Sequence, residues 1–258
     1  MTQPRLTQQH RFLTIQTPLG EDALILQSLR GTEGLSQSFA FDLVTVSENI
    51  SIATKSLLGQ AVSIQIASLQ ANHSDGVASS EHSTRYLHGI VDRFVAGAID
   101  SHGRRSYPLR VVPWMETLKL SSNCQIFQDQ SIPEIVMSVI KSSGFSQIDS
   151  SHLTQTYPKK PSIVQYNESN FDFVHRLLAD AGIFYDYIHE ANRHILRFWD
   201  QRPNLTRKAP VLLRHQSPGK PYIEHFTRRT SLKAIAINSE PYLRWCLINP
   251  SQRFKNRK

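Results

Sequence analysis

The run Phe39-Ala-Phe-Asp-Leu-Val-Thr-Val46 constrains the fold most, because Phe39, Phe41, Leu43 and Thr45 recur at every second position and share a face only in an extended chain. Ala23–Leu29, Ala61–Leu69, Arg85–Ile99 and Tyr107–Val112 read as further strands, with Gly31, Gly34, Gly59 and Gly103 as punctuation between them. Short runs of this kind, separated by polar turns from Phe12 to Val112, exclude a helical bundle and the strand–helix alternation of a doubly wound sheet. Glu33, Gly34 and Ser36 are expected to shape a turn between paired strands, with Gly31 or Gly34 supplying the positive φ that other residues resist. The Ser/His/Asp-rich stretch between Ala67 and Thr84 is expected to be a mobile hairpin tip, with His73 and His82 as solvated loop residues.

After Pro113 the period changes. In Ser131 to Gly144, Pro133 and Glu134 suit the first turn of a helix and Gly144 a left-handed C-terminal cap. In Ser169 to Gly182, Ser169 caps, Asp172 occupies the third helical position, and Phe173, Val174, Leu177, Leu178 and Ala181 form one apolar stripe. A β-hairpin pattern follows at Ile183–Ile188 and His194–Trp199. Pro203, Pro210, Pro218 and Pro221 then mark a linker before a last apolar stretch, Leu232–Ile237. The fold class is α+β, mainly β, with two amphipathic helices.

The formal charge of +8 invites a nucleic-acid reading, but its distribution argues against one for the body of the chain. Residues 1–200 carry 16 basic and 19 acidic side chains, and residues 201–258 carry 13 and 2. The basicity therefore belongs to a C-terminal tail, which has no aromatic interleaving of the kind that stacks bases. Two cysteines, Cys124 and Cys246, are too few for a disulfide framework or a four-thiolate zinc site, in keeping with a reducing cytoplasm. The first residues lack the apolar core of a signal peptide, and no stretch nears the roughly 20 apolar residues of a spanning helix, so no membrane insertion is expected.

A search for chemistry finds no nucleophile elbow, phosphate-cradling glycine loop, HExxH or CxxC. His189, Glu190 and His194 are close in sequence, but on a hairpin the two histidines read as polar strand-end residues rather than as a ligand pair. His175 reads as a satisfied or surface histidine beside its helix's apolar stripe, and Cys124 as a small packed hydrophobe. No catalytic, cofactor-binding or metal-ligating residue is assigned, and no cofactor is expected.

Seven segments, in order, resemble a known family over about residues 12–200. They are Leu29 to Phe39, Leu57-Leu-Gly59, Arg85-Tyr-Leu-His-Gly-Ile-Val91, Pro113-Trp114 with Leu118, Gln125-Ile-Phe-Gln-Asp129, Gln165 to Phe173, and Arg176 to Tyr185. The family is that of the VgrG proteins, the spike tips of type VI secretion systems, and more broadly the Rhs/Vgr and phage tail-hub group. Gln125 and Asn167 stand where the family pattern carries arginine, and beyond Asp200 the resemblance fades.

The resemblance implies tandem small β-barrels of phage tail-hub type: a first over residues 12–112, a second with both helices over 113–200, and a basic linker and tail over 201–258. A strand over residues 222–237 would return to the first barrel. It also implies a structural hub or tip component of a contractile injection machine, linking the inner tube to the spike, and not an enzyme. The implied partners are two further copies in a homotrimer, an Hcp-type hexameric tube protein, and baseplate and effector proteins. The implied location is the cytoplasm, in an apparatus that exports its tip on firing. Since relatives continue into an OB-fold and a β-helical spike, a truncated form is expected. The rival readings are a lytic or hydrolytic effector and a nucleic-acid binder acting through the basic tail.

Overall fold

The computed structural model describes residues 6–71 and 80–201, together with two short strands at 237–239 and 245–247. The first half is built from β1 (Leu13–Gln16), β2 (Ile25–Thr32), β3 (Ala40–Ser47), β4 (Ala61–Ala71), β5 (Ser80–Phe94) and β6 (Arg105–Val112). These form one antiparallel sheet in the order β1-β4-β5-β6-β3-β2. Its end strands β1 and β2 approach each other without pairing, so the sheet curls into a nearly closed barrel. Alternation decides which face turns inward: Phe41, Leu43 and Thr45 are buried while Asp42 is exposed, and Ile15, Ile64, Leu87, Tyr107 and Leu109 complete that core. The long β4–β5 pairing carries the ladder to Ala71↔Ser80, so the arms of the Ser/His/Asp-rich hairpin are regular strands. His82 falls on β5, and His73 lies outside the described residues.

The turn between β2 and β3 corrects the sequence reading. Neither Gly31 nor Gly34 has a positive φ; Ser36 takes it, at 52°. Gly31 is needed for space instead, because a Cβ there would meet the Phe41 ring at 2.6 Å. Ser36 is held in the left-handed region from outside the turn, by its N–H donating to the Tyr185 carbonyl at 2.8 Å.

The second half runs through a 3-10 segment at Trp114–Leu120, β7 (Ser122–Gln130), α1 (Ile132–Ser142), β8 (Ile148–His152), β9 (Lys160–Ser169), α2 (Asn170–Asp180), β10 (Phe184–His189) and β11 (His194–Trp199). Both helices have the ends their sequences encode. Ser131 and Glu134 form a capping box on α1, the Asp172 N–H donates to the Ser169 hydroxyl on α2, and Gly144 and Gly182 close the two helices with φ of 89° and 68°. Their apolar faces pack with Trp114, Met115, Leu118, Tyr185, Leu196 and Phe198 in a second core. Strands β10, β11 and β8 make a mixed sheet in which β11 pairs β8 in parallel, and β7 and β9 make a separate antiparallel ribbon. Sequence periodicity missed β7 and β9, because much of their surface is exposed and Phe127 and Ile163 are their apolar contacts with the core.

Tyr187 packs against both cores, and the two halves lie within a single compact unit, Met1–Ala209. The second unit, Pro210–Lys258, is described only at β12 (Ile237–Ser239) and β13 (Trp245–Leu247), which pair antiparallel. Of the returning strand expected over 222–237, residues 222–236 lie outside the described residues, and Ile237 opens β12 opposite Leu247.

Candidate functional site

The β10–β11 hairpin carries the two halves' closest polar contacts. Its strands end on the facing pair His189↔His194, and the turn between them rests on β4 through the Ser63 hydroxyl donating to the Ala191 carbonyl. His88, from the middle of β5, meets both. The Nδ1 atoms of His88 and His194 are 3.0 Å apart, the Trp114 N–H donates to His194 Nε2 at 3.1 Å, and the His88 N–H donates to His189 Nδ1 at 3.1 Å. Phe39 fixes the group sterically, its ring edge-on to both His189 and His194. Glu33, on the β2–β3 turn, sits 3.6 Å from His189 Nε2 and 2.6 Å from Arg85. His189 first, and Arg85 after it, hold the Glu33 carboxyl below its ordinary value against the opposing effect of burial.

This cluster is a packed seam. His194 is 2% exposed and His88 9%. Burial, followed by the neighbouring imidazoles, pushes His194 down to about 3, and burial with His189 lowers His88 as well. Both rings are therefore neutral at pH 7 and hydrogen-bond to protein groups. Among the described residues no group of three or more His, Cys, Asp or Glu side chains is arranged to hold a metal ion.

His189 and His194 are strand-end residues as the sequence suggested, His194 buried and His189 half-buried, and the sequence reading missed their partner His88, 106 residues from His194. His175 is satisfied: its Nε2 lies 2.8 Å from the Tyr185 hydroxyl and its ring stacks on Phe171. Cys124 corrects the expectation of a packed thiol, since it is exposed on β7. The same ribbon leaves Ile126, Val164 and Tyr166 exposed, next to Leu120 at 87%. The surface hollow bounded by Leu19, Ser47, Asn49 and Ile52 contains two carboxylates, and both are engaged: Glu48 accepts from the Leu6 N–H and Asp22 from the Gln8 N–H. The histidines and carboxylates named here thus make their contacts within the described body.

Comparison with known proteins places this architecture. The profile of the phage tail baseplate hub family matches residues 32–242. The type VI secretion system spike protein VgrG1a of Pseudomonas aeruginosa is 38% identical over 187 residues, covering 72% of this chain and 27% of that protein. VgrG1b of the same organism is 34% identical over 248 residues, covering 93% of this chain and 32% of that one. Among solved structures, the E. coli c3393 protein, a component of the type VI secretion system, superposes with a TM-score of 0.61 at 25% identity, over 78% of this chain and 52% of that one. The chain therefore spans less than a third of the length of these two spike proteins.

Proposed function

This chain belongs to the phage tail baseplate hub family, and from that premise we propose that it serves as a structural hub component of a type VI secretion, or contractile injection, machine, linking an inner tube to a spike. The observation that carries this reading is the match of the hub profile across both halves, joined to the likeness in fold to the E. coli secretion component. The chemistry agrees with it, since the histidines and carboxylates described above are engaged with the protein itself. The chain acts as a scaffold and not as an enzyme.

The six-stranded sheet is the first of two side-by-side modules, over residues 12–112, and the helix-bearing half is the second, over residues 113–200. The separate apolar cores support that division. Three copies then present six modules, two from each subunit, which gives a threefold assembly a way to dock on a hexameric Hcp-type tube. Effector and baseplate proteins are the further partners. The proposed location is the cytoplasm, within the apparatus, with export on firing.

A chimera tests the role directly. Residues 6–201 of this chain replace the matching part of VgrG1a in a P. aeruginosa strain lacking its own spike protein. Export of the tube protein is the expected result. A chimera that folds and trimerises but leaves the tube protein inside the cell would overturn the hub reading.

A further inference from the structure

We propose that the seam between the β10–β11 hairpin and the six-stranded sheet is an acid-released latch, shut by a hydrogen-bond path from the Trp114 amide through His194 to His88 that exists only while both imidazoles are neutral. The path runs one way. A backbone N–H can only donate, so His194 Nε2 carries its lone pair toward Trp114 at 3.1 Å, and the ring hydrogen of His194 must sit on Nδ1. That hydrogen faces His88 Nδ1 across 3.0 Å, so His88 accepts there and carries its own hydrogen on Nε2. Adding a proton to either ring sets two N–H groups against each other, across 3.1 Å at Trp114 or 3.0 Å between the rings.

The surroundings offer those two rings no compensating anion. From just before β3, Phe39 packs on His194; from β10, Tyr187 does the same. Glu33, on the β2–β3 turn, faces His189 and is shared with Arg85 of β5. Glu190 and Arg193, in the hairpin turn, pair with each other at 2.6 Å. Glu116, in the 3-10 segment, acts on His175, Tyr185 and Tyr187 and not on His88 or His194. His189 is the tolerant member, because its Nδ1 lies 3.1 Å from the amide and 3.2 Å from the carbonyl of His88 and can take either role.

The direction of the pH effect follows. In the closed seam His88 and His194 are both held below their ordinary value, chiefly by burial, whereas in an opened seam they titrate near about 6.5. The open form therefore binds more protons in acid. The latch is fully shut above the ordinary histidine value and weakens as pH falls below it, toward the depressed value of the closed state. The two apolar cores contain no such path, but His175 on α2 is also held below its ordinary value, chiefly by burial, so α1 and not α2 serves as the reference element.

Two measurements on the full chain decide it. Nitrogen-15 imidazole spectra at pH 7 are expected to show His194 protonated on Nδ1 and His88 on Nε2. A reversed tautomer on either ring, or a charged ring, overturns the proposal. Between pH 7 and 4.5, hydrogen-exchange protection of the Trp114 and His88 amides, corrected for intrinsic rate, is expected to fall by about tenfold or more. Protection of the Val139 amide within α1, a helix with no histidine, is expected to change by less than about threefold. His88→Asn retains an acceptor at the Nδ1 position without a titrating ring, so its fall should be smaller. Constant protection at Trp114, or a parallel loss at Val139, overturns the latch. Both readouts come from the unsubstituted protein, so they stand even if the variant fails to fold.

Discussion

Individual residues in this chain act mainly through the space and hydrogen bonds they leave to others. Gly89 follows His88 on β5, and a Cβ there would lie 2.6 Å from both the Val112 carbonyl oxygen and a Val111 methyl group. Neither obstacle can rotate away, since one is backbone and the other belongs to the packed barrel core. Gly89→Ala is therefore expected to cost about 1–3 kcal/mol by overpacking. Gly34 is the contrast: its φ is not positive, and the nearest obstacle to a Cβ is the mobile end of Gln37. Gly34→Ala is expected to be neutral, or to stabilise by up to about 1 kcal/mol through the unfolded chain. Urea unfolding of both variants checks the pair, and equal costs would contradict the packing argument.

At the scale of elements, the helices are held by ends and stripes that are local in sequence, and the strands by partners far away. In α2 the stripe Phe173, Val174, Leu177, Leu178 is buried throughout, and Leu177 is 1% exposed. Leu177→Ala is expected to cost about 2–5 kcal/mol, since it removes packed methyl groups and leaves a cavity the core cannot fully close. A change under about 0.5 kcal/mol would place the stripe elsewhere. The β7–β9 ribbon is the opposite kind of element: it is anchored inward through Phe127 and Ile163, while Ile126, Val164 and Tyr166 remain exposed. Its pairing holds because α1, α2 and the 3-10 segment support one side of it.

For the whole molecule, the proposed hub role brings with it a proposed self-association, whose expected number is three. In the proposed assembly each subunit offers two modules, so that three copies match a six-membered ring. Sedimentation of the full chain at several concentrations is expected to show a monomer–trimer equilibrium that shifts toward the trimer as concentration rises. A species that stays monomeric across the range, or that closes as a dimer, would count against the proposed assembly.

The sequence by itself determined what depends on neighbours a few residues apart. The alternation of Phe39, Phe41, Leu43 and Thr45 specified both the strand and its buried face, and Ser131, Ser169, Gly144 and Gly182 specified where the two helices begin and end. The ordered segments through Tyr185 also made the family legible, because they preserve local patterns that survive without knowledge of the fold. Tertiary structure decided the rest. Ser36, and not a glycine, takes the positive φ because Tyr185, 149 residues away, holds its turn. Cys124 is exposed because β7 turns Phe127 inward and leaves much of its own surface to solvent. His88 and His194 become one seam because β5 and the β10–β11 hairpin meet across a hundred residues of chain. A capping box or a period-two run needs only the chain's own short-range geometry, whereas a contact between distant strands exists only once the topology has brought them together, and no local pattern records it.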